Sequence, residues 1–243
     1  MGGDFSVPES LEAAVRGVSA VFLVWTLPFD TAPAVVEQLA RQVQHVVYLS
    51  APHRTPHPFF QQPNPMAKLH AHVEQLLADS SMRATFIRPG MFATNALHWW
   101  APAIRSGSTV RWPYLAAETA PVEERDVAAV AARVLHDQHH AGGDYVLTGP
   151  ESLSQAEQIR IIGRAIGRSI PVEGLSPDEF RRDTAGIWPS PVVDMLLNAW
   201  AATMGQPAYV TSSVHDVLGS RPTTFAQWAT ENAAAFHGPG GPS

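Results

Sequence analysis

Cysteine is absent from the sequence, which excludes disulfides, thiol nucleophiles and thiolate-bound metals and fits a reducing, cytoplasmic setting. Lysine is almost absent: Lys68 stands alone against fifteen arginines, so any mechanism that needs a lysine must use it. No apolar run approaches the ~20 residues that cross a bilayer. The N-terminus has neither the basic region nor the apolar stretch of a signal peptide. Positive charge is in deficit, and a net charge of −6 offers no basic surface to nucleic acid or anionic lipid. What remains is a globular mixture, 45% apolar and 16% charged over 243 residues. That length can bury one large domain, or a domain with a lobe.

Strands and helices alternate through about residue 150, and helices dominate afterwards. Ser6-Val7-Pro8-Glu9 has the form of a capping box and predicts a helix start. Residues 18–25 and 44–50 are apolar nearly throughout, the pattern of strands buried on both faces of a parallel sheet. Asp30 is placed to cap a helix over 31–43. A proline-rich loop over 51–66 carries His53 and His57, and long loops of this kind are usually functional or mobile. His70 to Asn95 then holds a helix, the short strand run Thr85-Phe86-Ile87 and an abrupt stop at Pro89-Gly90. Val110, Trp112 and Tyr114 are spaced for a short strand or an extended arm. Further on, Asp144–Pro150 reads as strand and turn. Helices are predicted after Ser154-Gln155-Ala156-Glu157, after Ser176-Pro177-Asp178-Glu179, over 187–204, and after Thr224-Phe225-Ala226-Gln227. The expectation is an α/β fold: an N-terminally truncated, Rossmann-like doubly wound parallel sheet over 1–150, a mostly helical lobe over 151–237, and a disordered tail over 238–243.

The pieces Gly3-Asp4-Phe5, Val18–Val24, Val46–Ser50, His70–Glu74, Thr85–Phe92, Arg125–Ala128 and Tyr145–Pro150, in that order, resemble the NmrA-like branch of the atypical short-chain dehydrogenases/reductases. The resemblance implies an NAD or NADP cofactor and a substrate lobe from the C-terminal half. It also implies a cofactor wall from Asp4, Phe5, Thr26, Leu27, Pro28, Ser50, Pro89, Gly90 and Phe92, with Asn95 and Trp99 toward the substrate. The family's opening β-α-β segment, with its Gly-x-x-Gly-x-x-Gly turn, has no counterpart here. Gly2-Gly3 falls where the third strand ends. Gly142-Gly143 and Gly240-Gly241 do not lie between a strand and a helix. Binding of NAD(P)H by this chain is therefore expected to be weak. The edge of the strand at 18–25 is expected to be bare, which points to a fragment or a mis-set start, or to a homodimer or other partner covering it.

The Tyr-x-x-x-Lys pair of the wider superfamily cannot be assembled, because Lys68 follows no tyrosine by four. His70-x-x-x-Glu74 stands in its place by resemblance, one helical turn apart on one face. An imidazole charged and oriented by a glutamate is a candidate acid or base; an exposed, solvated pair is the plain alternative. Arg88 reads as a structural arginine tying its turn to carboxylates. His53-x-x-x-His57 and His136-x-x-His139-His140 have ligand-like spacing, but no acidic partner converges on them and no metal site is expected. The function implied is NAD(P)H-dependent reduction of a small conjugated or carbonyl substrate. The alternatives are a non-catalytic NAD(P)-sensing regulator, and a cofactor-independent isomerase or cyclase using the His70/Glu74 cleft.

Overall fold

The computed structural model describes residues 2–238. Its centre is a four-stranded, wholly parallel sheet in the order β1 (Ala20–Val24), β2 (His45–Leu49), β3 (Arg83–Pro89), β6 (Asp144–Leu147). Crossover helices α2 (Ala32–Ala40) and α3 (Pro65–Ala78) follow β1 and β2. With a short α1 (Leu11–Ala14) they cover one face, through a core that includes Leu23, Val35, Val46, Tyr48, Val73 and Leu77. The other face packs on α6 (Glu124–His136) and α10 (Ser213–Leu218), through Val47, Ile87, Val127, Val130 and Val217. A doubly wound, Rossmann-like sheet is therefore what the alternation of elements produces.

β2 is buried along almost its whole length, as a strand apolar on both faces should be. β1 differs. Leu23 is buried, but Phe22 and Val24 on its opposite face are exposed. Among the described residues no strand pairs with its outer edge, so these side chains lack the neighbour that a further strand and helix would supply.

The lobe has its own core. Short helices α4 (Asn95–Trp99) and α5 (Ala101–Arg105) pack there with α7 (Gln155–Ala165), α8 (Pro177–Thr184), α9 (Ser190–Ala202) and α11 (Phe225–Glu231). The stretch at Val110 proves to be β4 (Val110–Pro113), paired in parallel with β8 (Val172–Leu175). A two-residue pair, β5 (Glu118–Thr119) with β7 (Leu153–Ser154), completes the strands.

Local signals succeeded where nothing competed for them. Ser176 and Thr224 form reciprocal capping boxes with Glu179 and Gln227. Ser154 accepts from Glu157 N, 3.1 Å. The box at Ser6 does not form: Asp4 Oδ1 takes the Ser6 amide (2.8 Å), the donor that the Glu9 side chain would bond, and also accepts from the Ser6 hydroxyl (2.7 Å). The chain there makes a 3-10 turn over Pro8–Ser10 without a side-chain cap. Asp30 likewise lies inside a 3-10 turn, Phe29–Thr31, and caps nothing. Apart from Gly238, the expected disordered tail lies outside the described residues. No described helix is long and apolar enough to cross a membrane.

His45 makes the sheet sensitive to acid. Thr85 donates its hydroxyl hydrogen to His140 O (3.0 Å), so the hydroxyl oxygen must accept from His45 Nε2 at 2.9 Å. His45 Nδ1 is left buried without a partner. Burial, with Arg83 nearby, lowers the imidazole pKa. The stability of a neutral His45 is therefore whole above the ordinary value of about 6.5 and is lost as pH falls through the lowered one. Tm is expected to drop as pH falls below about 6.5, with a shallower slope in His45→Gln. Parallel slopes in the two proteins would remove His45 from the account.

Candidate functional site

Ligands of open α/β sheets sit outside the carboxyl ends of the strands. Here those ends are Leu49-Ser50, Pro89-Gly90-Met91 and Leu147-Thr148, with the lobe's α9 and the 207–211 segment above them. Two cavities lie between. The larger encloses about 470 Å³ open to solvent, between Ala51-Pro52-His53, the start of α3, and Met195, Leu196 and Ala199 of α9. The smaller, nearly filled by its own walls, lies between Gly90, Thr148 and Tyr209. Phe59, Phe60 and Met91 line both, so the proline-rich loop forms the partition. His57 anchors that loop. Its Nδ1 accepts from Phe59 N (3.3 Å), which leaves Nε2 to donate to Pro207 O (3.1 Å).

Beside the larger cavity is a buried polar cluster on β2, α3 and β3. Arg88 grips Glu74 with two bonds, Nε to Oε1 and Nη2 to Oε2, both 2.7 Å. Arg88 also pairs with Asp144. Ser50 Oγ donates to Glu74 Oε1 at 2.5 Å. Burial works against the Arg88 charge, but the bonds to Glu74 and Asp144 prevail and raise its pKa. Arg88 is thus the tie between turn and carboxylates that its position suggested. His53 Nδ1 donates to Ala51 O (2.9 Å), and its Nε2 lies 3.5 Å from Glu74 Oε2.

His70 and Glu74 both face the sheet, as one turn of helix dictates, but they have different partners. Glu74 is committed to Arg88 and Ser50. His70 Nδ1 instead bonds the Tyr48 hydroxyl at 2.7 Å. Burial lowers the His70 pKa, with Glu74 opposing and His53 adding to the shift. Burial and the Glu74 charge push the Tyr48 phenol up, so it stays neutral. The two form a neutral hydrogen-bonded pair at neutral pH. Tyr48 is the residue the sequence reading missed: it sits 22 positions from His70, with no motif linking them.

The other expected site residues do not gather at one point: Phe5 and Leu27 pack on one face of the sheet, Phe92 on the other and Trp99 in the lobe. Asp4 is exposed, and its bonds from Ser6 lower its pKa. Phe5 stacks on Trp25 with ring centroids 5.7 Å apart. Thr26 and Pro28 are exposed beyond β1, and Leu27 O accepts from Trp25 Nε1 at 2.7 Å. Pro89 is buried at the end of β3, and Gly90 N bonds Leu147 O at 2.9 Å. Phe92 bridges to Val122, and Asn95 starts α4. Trp99 belongs to the lobe's aromatic cluster, with Trp112 at 5.5 Å and Trp200 at 5.7 Å. It lines neither cavity described above.

A dinucleotide needs a glycine-rich turn where backbone N–H groups reach its phosphates. The loops after β1 and β2, residues 25–31 and 50–64, contain no glycine. At Gly149, after β6, a Cβ would lie 2.1 Å from Pro121 O, so that space belongs to the chain's own backbone. The described residues therefore do not form the phosphate grip. Nor does any described group of three or more His, Cys, Asp or Glu side chains suit a metal.

A parallel, doubly wound sheet with a ligand cleft under a helical lobe defines a protein of the Rossmann class. Within that class, residues 1–226 match the NmrA-like family model, and the chain belongs to the NmrA-like family. It is 34% identical over 240 residues to a (4-alkanoyl-5-oxo-2,5-dihydrofuran-3-yl)methyl phosphate reductase of Streptomyces griseus, covering 96% of this chain and 83% of that protein. It is 29% identical over 242 residues to an NAD(P)H azoreductase of Xenophilus azovorans, covering 96% and 82%. Among solved structures, the NADPH-dependent quinone oxidoreductase of Escherichia coli in complex with NADPH superposes with a TM-score of 0.79 at 22% identity, covering 94% and 81%. That last likeness concerns the fold.

Proposed function

We propose that the protein is an oxidoreductase that reduces a small conjugated or carbonyl acceptor with NAD(P)H, the acceptor occupying the cleft between the proline-rich loop, α3 and α9. The observation that carries the reading is the position of this cleft. It lies at the carboxyl ends of β2 and β3, walled mainly by apolar side chains with a few polar groups, as small-molecule sites are. The names of the two relatives, both reductases, support the reaction class. A nicotinamide cofactor supplies the hydride chemistry when bound. The described residues act on the acceptor side, and micromolar NADPH affinity is not expected of them.

His70 lies one turn beyond Ala67, which lines the cleft. His70 itself lines neither cavity; with Nδ1 held by Tyr48, Nε2 is the nitrogen left to donate a hydrogen bond to the acceptor's oxygen as negative charge develops on it during reduction. Glu74 contributes through position, by locking Arg88, Ser50 and the α3–β3 seam together. The test is NADPH-dependent reduction of 2-methyl-1,4-naphthoquinone at millimolar cofactor. His70→Ala is expected to lower kcat about 10²-fold. Equal rates in the variant would remove His70 from the chemistry, and no NADPH-dependent reduction at all would overturn the reductase reading.

A further inference from the structure

We propose that Asn64 is the residue by which the cleft selects its acceptor: its side-chain NH2 donates to a carbonyl-type oxygen on a ligand whose apolar body lies against Phe59, Met91 and Leu196. The inference rests on the acceptor-site reading above and adds the group that recognises the ligand's polar end.

An amide side chain has one accepting end and one donating end. In Asn64 the accepting end is committed. Oδ1 caps α3, taking Met66 N at 2.9 Å and Ala67 N at 3.2 Å. Two backbone bonds fix the plane of the amide, so the NH2 cannot exchange places with the oxygen without uncapping a fourteen-residue helix. Among the described residues that NH2 has no hydrogen-bond partner, and it is not among the buried unpartnered atoms. It is therefore a solvent-accessible donor on a residue that lines the cleft.

The rest of the lining supplies the contrast. Most of the cleft wall is apolar, from Phe59, Phe60, Met91, Met195, Leu196 and three alanines with Pro52. The polar groups, His53, Gln62 and Asn64, all lie on the proline-rich loop side. Gln62 spends one Nε2 hydrogen on Pro58 O at 3.1 Å, inside its own loop. His53 spends its Nδ1 hydrogen on Ala51 O, and its Nε2 is buried. Asn64 is thus the lining donor whose orientation its own helix cap holds, and among the described residues no carboxylate lines the cavity to repel an electron-rich oxygen. A quinone, enone or lactone carbonyl suits this arrangement; a hydrocarbon of the same shape gains only the apolar wall.

The cap also gives a clean variant. Asparagine and aspartate cap helices equally well, so Asn64→Asp keeps α3 while replacing the donor with an acceptor. Binding is read without cofactor, by tryptophan-fluorescence titration with 2-methyl-1,4-naphthoquinone and with 2-methylnaphthalene. The wild type is expected to prefer the quinone by about five- to tenfold, the worth of one hydrogen bond. Asn64→Asp should lose that preference, with the hydrocarbon's affinity and Tm unchanged. Asn64→Ser, which also caps, should lose it too. Ala67→Phe, which fills the cleft, should weaken both ligands. A quinone preference that survives Asn64→Asp and Asn64→Ser overturns the proposal, as does Ala67→Phe binding both ligands like the wild type. The reductase reading fails separately: a protein that shows the Asn64-dependent preference but never oxidises NADPH keeps this inference and loses that one.

Discussion

Glu74→Ala is expected to destabilise the protein by about 3–5 kcal/mol, because it leaves a buried arginine without its carboxylate. For a chain of this size that is a fall of roughly 10 °C in Tm, read by thermal unfolding. Both side chains are almost wholly buried, and the pair is bidentate, so water cannot replace the lost oxygen atoms. Asp144 still pairs with Arg88 but is half exposed, and it compensates only in part. Glu74→Gln should fall between the two, since an amide oxygen can still accept from Ser50 or Arg88. Replacing the pair together, Glu74→Met with Arg88→Leu, is expected to recover much of the loss, as apolar replacements of buried ion pairs do. A loss under about 1 kcal/mol for Glu74→Ala would mean that the pair behaves like a surface bridge, and the buried cluster would have to be redrawn.

Trp200→Ala should have a comparable effect in the lobe, about 3–5 kcal/mol. Trp200 is fully buried, and Trp99, Trp112 and Phe180 stand around it at 5.7, 5.5 and 6.2 Å between ring centroids. The same helix places Met195, Leu196 and Ala199 in the cleft, so loosening α9 should also weaken quinone binding. Trp200→Phe is the discriminating control. The indole Nε1 makes no hydrogen bond, so its removal strands no polar partner. The phenylalanine variant should retain most of the stability; if both variants lose the same amount, ring packing is not what holds α9.

What could be read from the sequence was local. Alternating apolar runs announced the sheet, and Ser176 and Thr224 announced their helices, because a capping box involves residues three apart. Ser6 shows the limit: an aspartate two positions earlier competed for the amide that the box needs and took it. The site shows the limit more plainly. Spacing placed His70 and Glu74 on one helical face, but their partners come from β2 and β3, which spacing cannot rank. Tyr48 therefore went unnoticed, and the ion pair of Glu74 with Arg88 was visible only as a general expectation for that arginine. Residues 195–199 were expected in a helix, yet nothing along the chain tells which loop that helix will face. Trp99 carried the opposite error of emphasis: an aromatic beside a cleft-forming turn is as readily drawn into a tryptophan cluster, and here three other aromatic residues hold it.

The parallel sheet also sets the order in which the molecule can assemble. Ala20 pairs with His45, Val46 with Ala84, and Phe86 with Asp144, so no strand can find its neighbour before a crossover has closed. Contacts this distant along the chain make folding slow relative to a helical bundle. During that wait Ala20–Val24 is an uncharged, β-prone ribbon open on both sides, and among the described residues no strand covers its outer side even in the finished sheet. Yield on refolding should therefore be governed by protein concentration, with β1 as the place where two chains first meet.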